Sequence, residues 1–296
     1  MSSTTPRTDV VWRHGRTKAT SEWLAGLALL PLRQTGVGVA KVFLAAGLLS
    51  RPPGPAMAVI ALLTLAVYAH NDLTDRREDT VNDPGRADEV AARARTLGFA
   101  VAVAAVAAVG TAATGGPLAT GLALFPLAVA AAYNAPLLPG SGPARLKEVL
   151  VVNTVATAAA WAVPVALLPV AFAGAGPGMG AWLVVGYLFV RTYVASEFAN
   201  VDDVAGDAAA GVRTLPVVSG PTATRRALLA VDASTLAALA VAAAVGALGV
   251  ATALALAAGV AVSVAVLSGW LPVAPGGGDA MKDLEFVVSA ALLVAV

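Results

Sequence analysis

Residues 55–79 read PAMAVIALLTLAVYAHNDLTDRRED. From Pro55 to Ala69 the run holds no charge, and then Asp72, Asp75, Glu78 and Asp79 follow within ten positions of it. An uncharged apolar run that approaches bilayer thickness reads as a membrane-spanning helix, placed here at residues 55–71. If the helix continues beyond the membrane edge, Asn71, Asp75 and Asp79 fall at i, i+4 and i+8 on one face, with Asp72 beside them. Like charges at that spacing repel, so helix propensity alone does not select them.

The rest of the chain repeats the apolar half of this pattern. Of 296 residues 58% are hydrophobic and 12% charged, with a mean hydropathy of +0.80. Soluble domains average about 45–50% apolar and about 25% charged, which excludes a soluble globular protein. Aromatic residues make up 5%, so the apolar mass is Ala, Val and Leu, a composition suited to tightly packed helices. Apolar stretches of spanning length fall at roughly 24–50, 55–71, 96–114, 117–134, 148–171, 179–197, 227–247, 249–270 and 284–296. Turn chemistry separates them, as in Arg51-Pro-Pro-Gly54, Gly115-Gly116-Pro117 and Pro275-Gly-Gly-Gly278. The expected fold class is therefore all-α: a polytopic membrane protein of nine transmembrane helices. Residues 1–21 form a polar tail and residues 22–296 the membrane domain. The tail lacks the apolar core of a signal peptide, so insertion is expected to follow from the first span.

A net charge of +1 gives no electrostatic reason to bind nucleic acid. The absence of Cys excludes thiolate chemistry and cysteine metal sites, and His14 and His70 are too few for a histidine-rich metal centre. With the N-terminus in the cytoplasm and nine crossings, fifteen of the 19 basic residues lie on the cytoplasmic side, among them Arg86, Arg93, Arg145, Lys147, Arg213 and Lys282. Arg51 alone lies opposite, while Arg33, Lys41 and Arg191 fall within spans. A bacterial-type cytoplasmic membrane is the expected location. No obligate protein partner is evident.

A second acidic group, Glu197, Asp202, Asp203 and Asp207, follows the sixth stretch; with the first group it holds eleven of the 18 acids, all on the same inferred side. Asn200, Asp203 and Asp207 share a helical face at i, i+3 and i+7. Two facing rows of carboxylate and amide oxygen make a hard donor set. Such a set suits Mg²⁺, which takes a few carboxylates and completes its shell with water and substrate phosphate oxygens. The candidate metal ligands are Asn71, Asp72, Asp75, Asp79, Asn200, Asp203 and Asp207. The inferred ligand is a Mg²⁺-bridged diphosphate, its remaining charge met by Lys41, Arg145, Lys147, Arg191 and Arg213. Lys41 either points into a cavity or snorkels; Arg191 either contacts phosphate or pairs with Glu197. His70 reads more readily as a satisfied core residue than as a base. Tyr68, Tyr187 and Tyr193 either face a cationic intermediate or pack and anchor the helices. Asp83, Asp88, Glu89 and Asp202 read as solvated loop charges, and the tryptophans as an interfacial belt.

At these residues the chain resembles the UbiA-type intramembrane prenyltransferases. Asn71, Asp72, Asp75 and Asp79 match the family's NDxxDxxxD signature, and Asp203, Gly206 and Asp207 match its DxxGD form. Gly211-Val-Arg213-Thr-Leu-Pro216, Tyr133-Asn-Ala-Pro136 and Arg145-Leu-Lys147 are similar to further family elements in the family's order. The resemblance implies a nine-helix bundle around a central, lipid-accessible cavity capped by both acidic motifs. It also implies Mg²⁺-assisted ionisation of an isoprenyl diphosphate, with Asp72, Asp75, Asp203 and Tyr133 as catalytic residues, and transfer of the allylic cation to a small aromatic or lipidic acceptor. The chain departs from the family pattern at Ala87, Asn134 and Asn200, departures that bear on the acceptor site more than on the diphosphate site. Some members instead cyclise the cation without an acceptor, which is the alternative reading. A transporter would place its acids at mid-membrane on broken helices, not at helix ends on one side.

Overall fold

The computed structural model describes residues 29–136, 145–271 and 278–295, without the side chains of residues 76–78 and 278–281. Among these residues the chain is helical and contains no strand. Nine long helices carry the architecture: α1 (Leu32–Leu48), α2 (Gly54–Thr74), α3 (Ala94–Ala113), α4 (Gly116–Asn134), α5 (Val152–Phe172), α6 (Met179–Ala199), α7 (Pro221–Ala244), α8 (Val250–Leu267) and α9 (Gly278–Ala295). Seven of them, α2 to α8, are long and apolar enough to cross a membrane. The other two are more polar: α1 carries Arg33 and Lys41, and α9 carries Lys282, Asp283 and Glu285. The proline-rich breaks behave as their chemistry requires, since α2, α4 and α7 each begin with Pro in the first turn, where its missing N–H costs nothing.

Residues 24–28 of the first expected span lie outside the described residues, as does the whole tail, residues 1–21; the described α1 starts just after Pro31. The last expected span, 284–296, starts earlier than anticipated, at Gly278. Lys282, expected in a solvated segment, is therefore inside a helix and buried.

Helices adjacent in sequence pack side by side around the bundle, and α9 packs back against α1, so the nine form a closed ring. α5 is the most enclosed, with 67% of its apolar window buried, and touches α1, α2, α4 and α6. Val42, Ile60, Leu63, Leu168, Leu188 and Phe286 lie in the core between these helices. Small residues bring backbones together, as the composition implied. A Cβ at Gly259 on α8 would lie 2.0 Å from Ser289 Oγ and 2.5 Å from the Glu285 carbonyl on α9.

A polar cluster joins four helices inside this apolar frame. Arg191 of α6 forms ion pairs with Asp232 of α7 and, at 2.6 Å, with Glu285 of α9. Lys282 Nζ lies 2.6 Å from the same Glu285 carboxylate, and Ser263 Oγ of α8 donates to Asp232 at 2.5 Å. All are essentially sealed from solvent. Two cations and two anions cancel within the cluster. The expected pairing of Arg191 with Glu197 does not form, because six helical positions place two side chains about 120° apart around the axis. Glu197 instead accepts from the Thr154 hydroxyl at 2.6 Å, the Asn200 amide at 3.3 Å and the Leu215 N–H at 3.2 Å.

Candidate active site

Each acidic segment is a junction between a long helix and a short one. α2 ends at Thr74, and the short helix Arg76–Asn82 begins after Asp75, whose backbone departs from helical geometry. The sequence pattern anticipated a continuous helix here. The break leaves the i→i+4 ladder standing: the Asp75 N–H donates to the Asn71 carbonyl at 2.9 Å, and the Asp79 N–H to that of Asp75 at 3.0 Å. Asn71, Asp75 and Asp79 therefore keep a common face. In the second segment α6 ends before Asn200, Asp203 precedes the short helix Val204–Ala210, and the Asp207 N–H donates to the Asp203 carbonyl at 3.0 Å. The two short helices pack against each other, which sets the two rows face to face.

Beneath them opens a cavity of about 360 Å³. Asn71, Asp75 and Asp79 line it from one side, and Asn200, Asp203 and Asp207 from the other. Deeper walls come from Val67, Pro126, Val129, Ala130, Ala160 and Trp161, with the rings of Tyr68 and Trp161 5.8 Å apart between centroids. Tyr133, Asn134 and His70 also face the cavity. Trp161 is thus a core residue, not part of an interfacial belt, whereas Trp270 is 83% exposed.

The structure separates the expected site residues. Asp72 does not line the cavity; one position along the helix from Asn71 turns it by about 100°, and Arg86 Nη2 holds its carboxylate at 2.6 Å. Among the cations, Lys147 reaches the cavity, is 2% exposed and places Nζ 2.6 Å from Asp75 Oδ1. Lys41 reaches it from α1, its ammonium 4.2 Å from the Phe286 ring centroid. Arg145 instead bonds Glu148 at 2.5 Å beside the turn that carries Lys147. Arg213 is exposed and Arg191 lies in the buried cluster, so neither lines the cavity. Asn153, 1% exposed, donates to the carbonyls of Lys147 and Arg213, each at 3.3 Å, and so ties both loops to α5.

Sequence reasoning missed several participants. Arg33 and Lys282 line the cavity, the former paired at 2.5 Å with Asp283, which lines it too. Asn82 faces the cavity between the acidic rows. Its only sequence signal is its place one helical turn after Asp79.

The donors around the mouth are carboxylate and amide oxygens, the chemistry Mg²⁺ prefers. Among the described residues no three Asp, Glu or His side chains already converge into a cage. That suits an ion held by one or two carboxylates and otherwise by water and substrate phosphate. Burial, then the charges of Asp202 and Asp75, push the Asp203 carboxyl above the ordinary carboxylate range.

A bundle of apolar helices with an oxygen-lined mouth over a cavity walled by both apolar and polar side chains defines a class, the helical membrane proteins with a polar site built into the bundle. The chain belongs to the UbiA prenyltransferase family, whose model matches residues 35–274. It is 33% identical over 189 residues to a digeranylgeranylglyceryl phosphate synthase of Halobacterium salinarum, covering 60% of this chain and 61% of that protein. It thus spans less than two thirds of that relative's length. Solved structures share the fold, among them the following two. A UbiA homolog from Archaeoglobus fulgidus bound to GPP and Mg²⁺ superposes with a TM-score of 0.67 at 18% identity, covering 93% of this chain and 98% of that one. The apo structure of a UbiA homolog from Aeropyrum pernix K1 gives 0.66 at 19% identity, covering 88% and 98%.

Proposed function

We propose that this protein is a Mg²⁺-dependent intramembrane prenyltransferase that ionises an isoprenyl diphosphate and transfers the allylic group to a small acceptor. The observation that carries the reading is that Asn71, Asp75, Asp79, Asn200, Asp203 and Asp207, from two distant segments, line one cavity mouth. The fold is shared with a homolog bound to GPP and Mg²⁺. The product named for the Halobacterium relative carries two geranylgeranyl groups on a glyceryl phosphate, which favours transfer over internal cyclisation.

Asp75, Asp79, Asp203 and Asp207 are the residues proposed to hold the ion, with Asn71 and Asn200 beside them. When bound, Mg²⁺ would neutralise diphosphate charge and so favour departure of that group. Lys147 holds Asp75 in place and adds a positive charge at the mouth. Lys41 presents a second cation to the cavity. Tyr68, Tyr133 and Trp161 offer π faces to an allylic cation, and the apolar walls exclude the water that would quench it. Asp72 acts through Arg86 on the neighbouring helix, and Arg145 and Arg213 frame the mouth from its loops. All nine long helices are read as membrane crossings, with the mouth and the N-terminus on the cytoplasmic side of a bacterial-type membrane. The clustering of basic residues on that side supports this orientation.

The test is release of diphosphate by purified protein given geranylgeranyl, farnesyl or longer diphosphates, with and without candidate acceptors. Mg²⁺-dependent release that rises with an acceptor is expected. Release without Mg²⁺, or none with any donor, would overturn the reading. A terpene formed with no acceptor present would convert it to cyclisation.

A further inference from the structure

The short helix Val204–Ala210 begins at Asp203, in the position where an Asp side chain ordinarily turns back to accept from the amide two or three residues on. Asp203 makes no such bond. The amide it would take is already held: the Gly206 N–H donates to Asn82 Oδ1 at 2.9 Å. Asn82 is the last residue of the opposite short helix, Arg76–Asn82. Its Nδ2 lies 3.4 Å from Asp203 Oδ1 and 3.5 Å from the Asp203 carbonyl oxygen. Gly206 is what permits the approach, since a Cβ there would lie 2.4 Å from Asn82 Nδ2 and 2.6 Å from its Cγ. One acidic segment thus caps the helix of the other, and the amide group fills the space a side chain at position 206 would need.

We propose that Asn82 is a positioning residue: by capping the Val204–Ala210 helix from across the mouth and donating from Nδ2 to Asp203 Oδ1, it keeps the Asp203 carboxylate from capping its own helix, holds it at the cavity and fixes the spacing of the two acidic rows. The inference rests on the reading of Asp203 as a metal-holding group. Without Asn82 the Gly206 N–H has no acceptor, and the nearest one is Asp203 itself. Its carboxylate then becomes an ordinary N-cap and withdraws from the cavity. The same contact accounts for a glycine between Asp203 and Asp207: any side chain there expels Asn82.

The experiment titrates Mn²⁺ into the purified full chain with inorganic pyrophosphate, reading free Mn²⁺ by electron paramagnetic resonance. Outer partners of metal ligands typically contribute roughly 10–100-fold in affinity. Asn82→Ala is expected to weaken Mn²⁺ binding by about tenfold, with diphosphate release recovering at high Mg²⁺. Gly206→Ala should weaken it similarly. The double variant should be no weaker than Asn82→Ala alone, because the three nearest atoms that the methyl group would meet all belong to the removed amide group. If Asn82→Ala does not fold, Asn82→Ser, which is also too short to span the gap, is read in its place. Wild-type affinity in the Asn82 variant, or a double variant as weak as the product of the two singles, overturns the inference. Asp203→Ala separates the two readings. If it abolishes Mn²⁺ binding while Asn82→Ala leaves it intact, the positioning role alone fails; if it too leaves binding intact, both readings fail.

Discussion

Two polar regions share this apolar bundle, and they are built on opposite principles. Between α6, α7, α8 and α9, Arg191, Lys282, Asp232 and Glu285 bind one another with charges that cancel and with almost no exposure. At the cavity mouth, Asp75, Asp79, Asp203 and Asp207 bring like charge together, and burial, then the charges of Asp202 and Asp75, raise the proton affinity of Asp203. A charge in a membrane helix is costly wherever it sits. The buried cluster meets the cost internally and acts as a fastening. The mouth leaves it for a ligand to meet, which is how a site differs from a joint.

The contrast can be broken or sharpened by substitution. The largest expected effect on chemistry is at the mouth: Asp203→Ala should lower diphosphate release by roughly 10²–10³-fold, the scale of losing a group that stabilises transition-state charge. Its melting temperature should stay near that of wild type. The largest effect on stability is in the cluster. Asp232→Ala leaves Arg191 with one partner fewer in a sealed site and should destabilise the fold by about 3–5 kcal/mol, read as a lower melting temperature in detergent. An activity defect in the second variant without a melting defect would erase the distinction. Removing Arg191 and Asp232 together, as Arg191→Met with Asp232→Leu, should return most of that stability, because an apolar pair of similar volume needs no charge compensation. Chelating Mg²⁺ should abolish release and leave the melting temperature almost unmoved, since the buried cluster balances its charge with its own side chains.

The smallest expected effect is one of pH. Asp203 keeps its proton to a higher pH when folded than when unfolded, so its contribution favours folding at low pH. In the metal-free protein that contribution should fade as pH rises from the ordinary carboxylate range through the raised value. Asp203→Asn should flatten this part of a melting-temperature profile. A wild-type profile that rises over the same interval and is unchanged by the substitution would contradict the crowding argument.

The long helices were legible because uninterrupted apolar runs and proline-glycine breaks report directly on spanning segments. The acidic faces were legible for a related reason: spacing along one helix fixes which of its residues point together, and Asn71, Asp75 and Asp79 keep that face even through the break at Asp75. Partnerships between helices were not legible. These helices are apolar on nearly every side, so no polar stripe says which way Arg191 turns, and Glu197 was as plausible a partner as Asp232. Asp72 was counted with its motif because sequence shows adjacency, while the partner that holds it, Arg86, comes from a separate short helix, Pro84–Ala92. Asn82 carried only its place one helical turn after Asp79; its meaning depends on a glycine more than a hundred positions away.

The closure of the ring through α9 and α1 bears on how the protein is made. Ribosomal synthesis delivers α1 to the bilayer first and α9 last, and chain segments generally organise in that order. Until α9 arrives, Arg33 has no Asp283 to meet, Arg191 has no Glu285, and Lys41 has no Phe286 beneath its ammonium. These three contacts therefore form only at the end of insertion, when the cavity gains its final wall.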